Sequence, residues 1–235
     1  MDVMTTPGTR EQSELLSLAV HELRTPITVV AGYLRMLARG QLGPVAEQQQ
    51  KVIEEAERSC GRLKALLDEM SELANFDGPD PPRPTDEVPI AEALDQVAAG
   101  APGDRDRGVE VVRTGSGEEH IVRADRKRLM AALSALVSAI VREQREPGRI
   151  AVDLETRQRD GQPVAHIFIG REDATDERGE RGPGAQFNEF PGGLGLALPI
   201  ARRVIERAGG LIWSSYSAAD GKKLGAVAVQ LPLRP

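Results

Sequence analysis

At 235 residues, with 40% hydrophobic and 28% charged residues, the chain has room for a helical module and one mixed domain, each with its own core. A formal charge of −6 with both signs interspersed excludes a broad electrostatic drive onto nucleic acid or an anionic membrane, and 3% aromatic residues are too few for base-stacking platforms. One cysteine, Cys60, and three scattered histidines give neither an internal disulfide nor metal-ligand spacing, so no metal site is expected and Cys60 reads as a small apolar helix residue.

Residues 1–10 read as a tail without the basic patch and apolar run of a secretory signal. No later stretch approaches the roughly 18 apolar residues of a membrane span, so the expected location is the cytoplasm. From Leu16 the apolar residues fall at Leu16, Val20, Leu23, Ile27, Val30, Leu34 and Leu37, in alternating steps of four and three, which predicts a helix with one packing seam. Gly40-Gln41-Leu42-Gly43-Pro44 ends it.

A second helix carries Ile53, Ala56, Cys60, Leu63, Leu67, Met70 and Ala74, with Val52, Leu66 and Leu73 on an adjoining stripe. That face is too wide for one partner helix. A second copy of the hairpin would cover it, predicting a homodimeric four-helix bundle over residues 11–76. The alternative is a helical subdomain packed on the C-terminal half.

Residues 77–86 form a proline-rich linker, and the pattern then changes. Helices are expected at 90–99, 126–142 and 194–208, and strands at 109–113, 120–123, 149–156, 164–169, 211–216 and 226–233. Residues 87–235 therefore read as an α+β sandwich of helices on a mixed sheet. Residues 171–191, charged and then glycine-rich with no period, read as a mobile loop.

On the first helix His21 follows the seam residue Val20 and so faces solvent, with Thr25 one turn further on the same side. Pro26 lies inside the helix, where proline costs about 3 kcal/mol and normally kinks or loosens the turn. Such a cost beside an exposed histidine points to a site. The run His21-Glu22-Leu23-Arg24-Thr25-Pro26, within residues 16–32, resembles the phospho-acceptor box of the two-component histidine kinase family.

The resemblance implies that neutral His21 attacks a phosphoryl group while Glu22 hydrogen-bonds its other ring nitrogen as orienter and base. It implies transfer to an aspartate of a response regulator receiver domain docked on the hairpin. It also implies that Thr25 positions a water that dephosphorylates the regulator.

The C-terminal half resembles the family's Bergerat-type ATP-binding domain in element order and length. Gly192-Gly193-Leu194-Gly195-Leu196-Ala197 looks like its second glycine box, making Gly193 and Gly195 the candidate cofactor-binding residues for the phosphates of ATP. Where the family has two magnesium-binding asparagines, the expected helix reads Ser134-Ala135-Leu136-Val137-Ser138-Ala139. Serine is a weaker magnesium ligand than asparagine, and alanine is none. Where the family has Asp-x-Gly-x-Gly, which binds adenine, the chain reads Gly170-Arg171-Glu172-Asp173-Ala174.

Three readings are open. In the first, a phosphotransfer protein in a phosphorelay, His21 takes its phosphoryl group from a partner kinase or a phosphorylated regulator. The second is an autokinase with a divergent site for ATP and magnesium, Asp173 or another acidic residue near the lid replacing the missing aspartate. The third is a non-enzymatic dimeric pseudokinase scaffold.

Overall fold

The computed structural model describes residues 7–78, 83–101, 103–115, 120–173, 187, 195–216 and 224–234. The chain divides into two compact units, Met1–Pro82 and Arg83–Pro235.

The first unit is a hairpin of α1 (Pro7–Ala38) and α2 (Glu47–Asp77). At the end of α1, Gln41 N donates to Met36 O at 3.0 Å and Gly40 N to Leu37 O at 2.9 Å. Gly40, at φ +66°, takes the left-handed conformation such a stop requires. At the start of α2, Gln49 Oε1 accepts from Ala46 N at 3.0 Å, satisfying one of the amides the first turn leaves open.

The seam differs from the sequence pattern at two positions. Val20 is buried, and Leu16, Ile27, Ala31, Leu34 and Leu37 are half-buried, but Leu23 and Val30 each remain 48% exposed. The seven-residue spacing of Leu16, Leu23, Val30 and Leu37 is correct; one partner helix covers a strip too narrow to take the whole row. Opposite, α2 buries Leu67, Ala74 and Phe76. Ser13 Oγ donates to Ala74 O at 2.8 Å and fastens the two helices near those ends.

The second unit follows the order β1 (Asp86–Pro89), α3 (Ile90–Gly100), β2 (Val109–Gly115), β3 (Ile121–Ala124), α4 (Arg126–Glu143), β4 (Gly148–Arg159), β5 (Gln162–Arg171), α5 (Ala197–Arg207), β6 (Leu211–Tyr216) and β7 (Leu224–Pro232). β1 pairs with β3, and a five-stranded sheet runs β2-β4-β5-β7-β6. Its β2–β4 pair is parallel and the others antiparallel, as the mixed sheet of the sequence reading requires. β1 was not anticipated, being four residues with two acidic side chains and a proline. It begins inside the stretch read as linker.

Asp160 and Gly161, at φ 52° and 76°, make the tight β4–β5 turn. By register, Ile150, Val152, Leu154, Ile167, Ile169, Val227, Val229 and Leu231 share one sheet face, all buried. A side chain at Gly210 would meet both Leu231 of that face and Ile205 of α5, which places α5 over it. The other face carries Ala151, Asp153, His166, Phe168, Ala228 and Gln230.

Candidate functional site

His21 stands out on α1 with its side chain 77% exposed, as its place beside the seam predicted, and Glu22 is 72% exposed. His21 Nδ1 lies 3.4 Å from Glu22 Oε1, a long contact because successive residues on a helix do not face one another. In the tautomer with the proton on Nδ1, that nitrogen donates to Glu22 and Nε2 is left unprotonated, with its lone pair toward solvent. Thr25 is exposed one turn on. Thr28 Oγ1 donates to Arg24 O at 2.7 Å across the turn that holds Pro26, and α1 runs unbroken through that proline.

One residue pair at this level escaped the sequence reading. Arg24 Nη2 donates to Asp68 Oδ1 at 2.9 Å, tying α1 to α2 one turn from His21. No sequence signal marks it, because the pair exists only in the register of the folded hairpin. Val20 on α1 and Leu67 on α2 are both buried.

The α/β unit presents different chemistry at the positions that the resemblance assigns to magnesium and adenine. On α4, Ser134 and Ser138 are exposed, Ala135 is half-buried and Ala139 is buried, so neither register offers a carboxamide. At the end of β5 the guanidinium of Arg171 donates to both oxygens of Asp173, at 2.8 and 2.7 Å. It also lies 3.9 Å from Glu146. The paired guanidinium holds the Asp173 carboxyl below the usual carboxylate range, against the opposing effect of desolvation.

Gly170, just before, is closed to any side chain, since a Cβ there would come within 2.7 Å of Ala226 and of the Phe168 ring. Asp173 is thus engaged by Arg171, and serine hydroxyls and alanine methyls do not fit a magnesium triphosphate. Gly195 sits at φ +60° just before α5, whose N-cap residue Leu196 has no side-chain acceptor to offer its first turn. Gly193 lies outside the described residues, as does most of the stretch read as a mobile loop.

Residues 11–79 match the His Kinase A (phospho-acceptor) domain family. The chain is similar to the sensor protein PfeS of Pseudomonas aeruginosa, 30% identical over 221 residues that cover 87% of this chain and 44% of PfeS. It is also similar to the sensor histidine kinase WalK of Bacillus subtilis, at 22% identity over 90% of this chain and 36% of WalK. Among solved structures, full-length ShkA in complex with AMPPNP matches at TM-score 0.71 and 22% identity, over 94% of this chain and 46% of ShkA. The Acinetobacter baumannii histidine kinase AdeS matches at TM-score 0.54 and 17% identity, over 92% of this chain and 98% of the AdeS chain. At these identities the structures speak for the fold. The chain spans less than half the length of the curated relatives it matches. Among the described residues no helix is long and apolar enough to cross a membrane.

Proposed function

We propose, for a chain that belongs to the two-component sensor histidine kinase family, that His21 carries a phosphoryl group taken from an outside donor and passed to a response-regulator aspartate. The observation that carries this reading is the pairing of an open His21, its Nδ1 facing Glu22, with a nucleotide region whose side chains suit neither magnesium nor adenine. Nε2 of His21 attacks the donor's phosphorus. The bond from phosphorus to the donor atom breaks with its electron pair on the donor, and the Nδ1 proton passes to Glu22 or solvent. In the next step a receiver carboxylate attacks the phosphohistidine and the P–N electron pair returns to the imidazole. Thr25, one turn away, positions the water that later hydrolyses the receiver's acyl phosphate.

The working unit is a homodimer. On α1, Leu15, Leu18, Val29, Tyr33 and Met36 are exposed, and on α2 so are Val52, Leu63 and Leu66. Two such faces meeting would complete a four-helix bundle. The receiver domain, and a partner kinase as donor, are the partners this reading requires.

The left-handed Gly195 directly before the start of α5 favours a second reading, in which the α/β unit still holds nucleotide phosphates and charges His21 itself. Receiver domains precharged with labelled acetyl phosphate test the first reading. Label that reaches the wild-type chain, is lost in acid and survives base, and is absent from His21→Ala is the expected result. Equal labelling of His21→Ala would overturn it, and full signalling by that variant in cells would leave only a scaffold.

A further inference from the structure

We propose that Arg24 is the cation that receives the phosphoryl group on His21, held until then on Asp68 of α2. This rests on the reading of His21 as the acceptor. Three residues on along a helix brings Arg24 beside His21 one turn higher, with roughly 5–6 Å between Cβ atoms, a distance a guanidinium spans with reach to spare. In the unmodified protein its Nη2 is 2.9 Å from Asp68 Oδ1, with the two side chains 42% and 59% exposed. An ion pair that open to water contributes little, so leaving it is cheap.

A phosphoryl group on Nε2 of His21 carries nearly two negative charges and three acceptor oxygens, against the single charge of the carboxylate. The planar guanidinium pairs with it through two parallel N–H groups. Phosphorylation therefore moves Arg24 from Asp68 to the phosphoryl group and releases the hydrogen bond that links α1 and α2 at that level. The main chain there already lacks the amide that Pro26 cannot supply, so releasing Arg24 frees the turn carrying His21 from α2. Arg24 thus assists transfer and reports its completion to the hairpin. Asp68 is its competitor.

The two ends of this ion pair give opposite results on this account, and the same result if the pair is only a strut. Phosphoramidate is the probe, because its reaction needs no partner protein. His21 Nε2 forms the new P–N bond, the old P–N bond breaks with its electron pair on departing ammonia, and the Nδ1 proton goes to Glu22 or solvent.

Expected are a loss of about threefold to tenfold in the rate of His21 phosphorylation for Arg24→Gln, partial recovery in Arg24→Lys, and a gain of about twofold to threefold for Asp68→Asn. Equal losses in Arg24→Gln and Asp68→Asn, or no change in either, would overturn the role of Arg24 while leaving His21 as the acceptor. Absence of label from the wild type, with the same donor charging a receiver domain in parallel, would remove the reading of His21 itself and this inference with it.

Discussion

Among the described side chains the hairpin buries Val20, Leu67, Ala74 and Phe76 as its fully enclosed apolar residues, whereas α4 of the α/β unit alone buries eight residues. The thin-cored region holds the whole acceptor box, and the well-packed region has serine, alanine and a paired arginine where nucleotide chemistry would need asparagine and aspartate. A core is kept by apolar volume, which many residue types supply, while a site is kept by particular functional groups at fixed places. An α/β unit can therefore hold its fold with different side chains at its site. The hairpin needs little core of its own if a second copy supplies the rest.

That contrast can be broken by substitutions that strike one region and spare the other. The largest effect belongs to Leu133→Ala, a fully buried residue of α4, which should lower the unfolding free energy of the α/β unit by about 3 kcal/mol in urea titration. Labelling of His21 should persist in that variant under native conditions. Arg107→Ala comes next, at about 2 kcal/mol. Its guanidinium donates to Gln144 O at 2.6 Å, Arg142 O at 3.2 Å and Val141 O at 3.3 Å, closing the C-terminal end of α4.

Asp125→Ala should cost about 1 kcal/mol, because the carboxylate caps α4 through Arg128 N at 2.9 Å. Burial pushes the Asp125 carboxyl up, yet the Arg128 amide and guanidinium outweigh it and the group ends below the usual carboxylate range. A lowered folded value means stability that is present above the unfolded value and lost as pH falls through the folded one. The gap between wild type and Asp125→Asn, which keeps the cap but not the charge, should therefore be present at neutral pH and close in acid. A gap that widened on acidification would contradict this assignment.

The smallest effect sharpens the comparison most. Val52, 70% exposed on a lone hairpin, would tolerate Val52→Ala within about 0.5 kcal/mol if nothing covers it. Covered by a second copy, the same change should cost about 1 kcal/mol, and the melting temperature should fall on dilution.

How much of this was legible in the sequence varied with the range of the interaction. The hairpin, its Gly40 stop and the exposure of His21 follow from period and local turn chemistry, and the main helices and strands of the α/β unit were placed with ends off by a few residues. β1 was not found, since its four residues gain their strand character only by pairing with β3. Asp160-Gly161 is a hairpin signal in the sequence, and both residues adopt the positive φ that such a turn needs.

The exposure of Leu23 and Val30 needed to be seen in the fold, because a heptad pattern does not say how much of its stripe one partner covers. Arg24 with Asp68, and Arg171 with Asp173, are ordinary charges in sequence. Folding decides that the first pair bridges two helices beside His21 and that the second occupies the end of β5.

The central claim is that His21 depends on an outside donor, and the direct measurement is incubation of the purified chain with magnesium and ATP labelled on the γ-phosphate, alone and with a partner kinase. The account predicts label on His21 only when the partner is present, and none on His21→Ala. Acid-labile label on His21 with the chain alone, lost in a Gly195→Ala variant, would contradict it and make the α/β unit the source of the phosphoryl group.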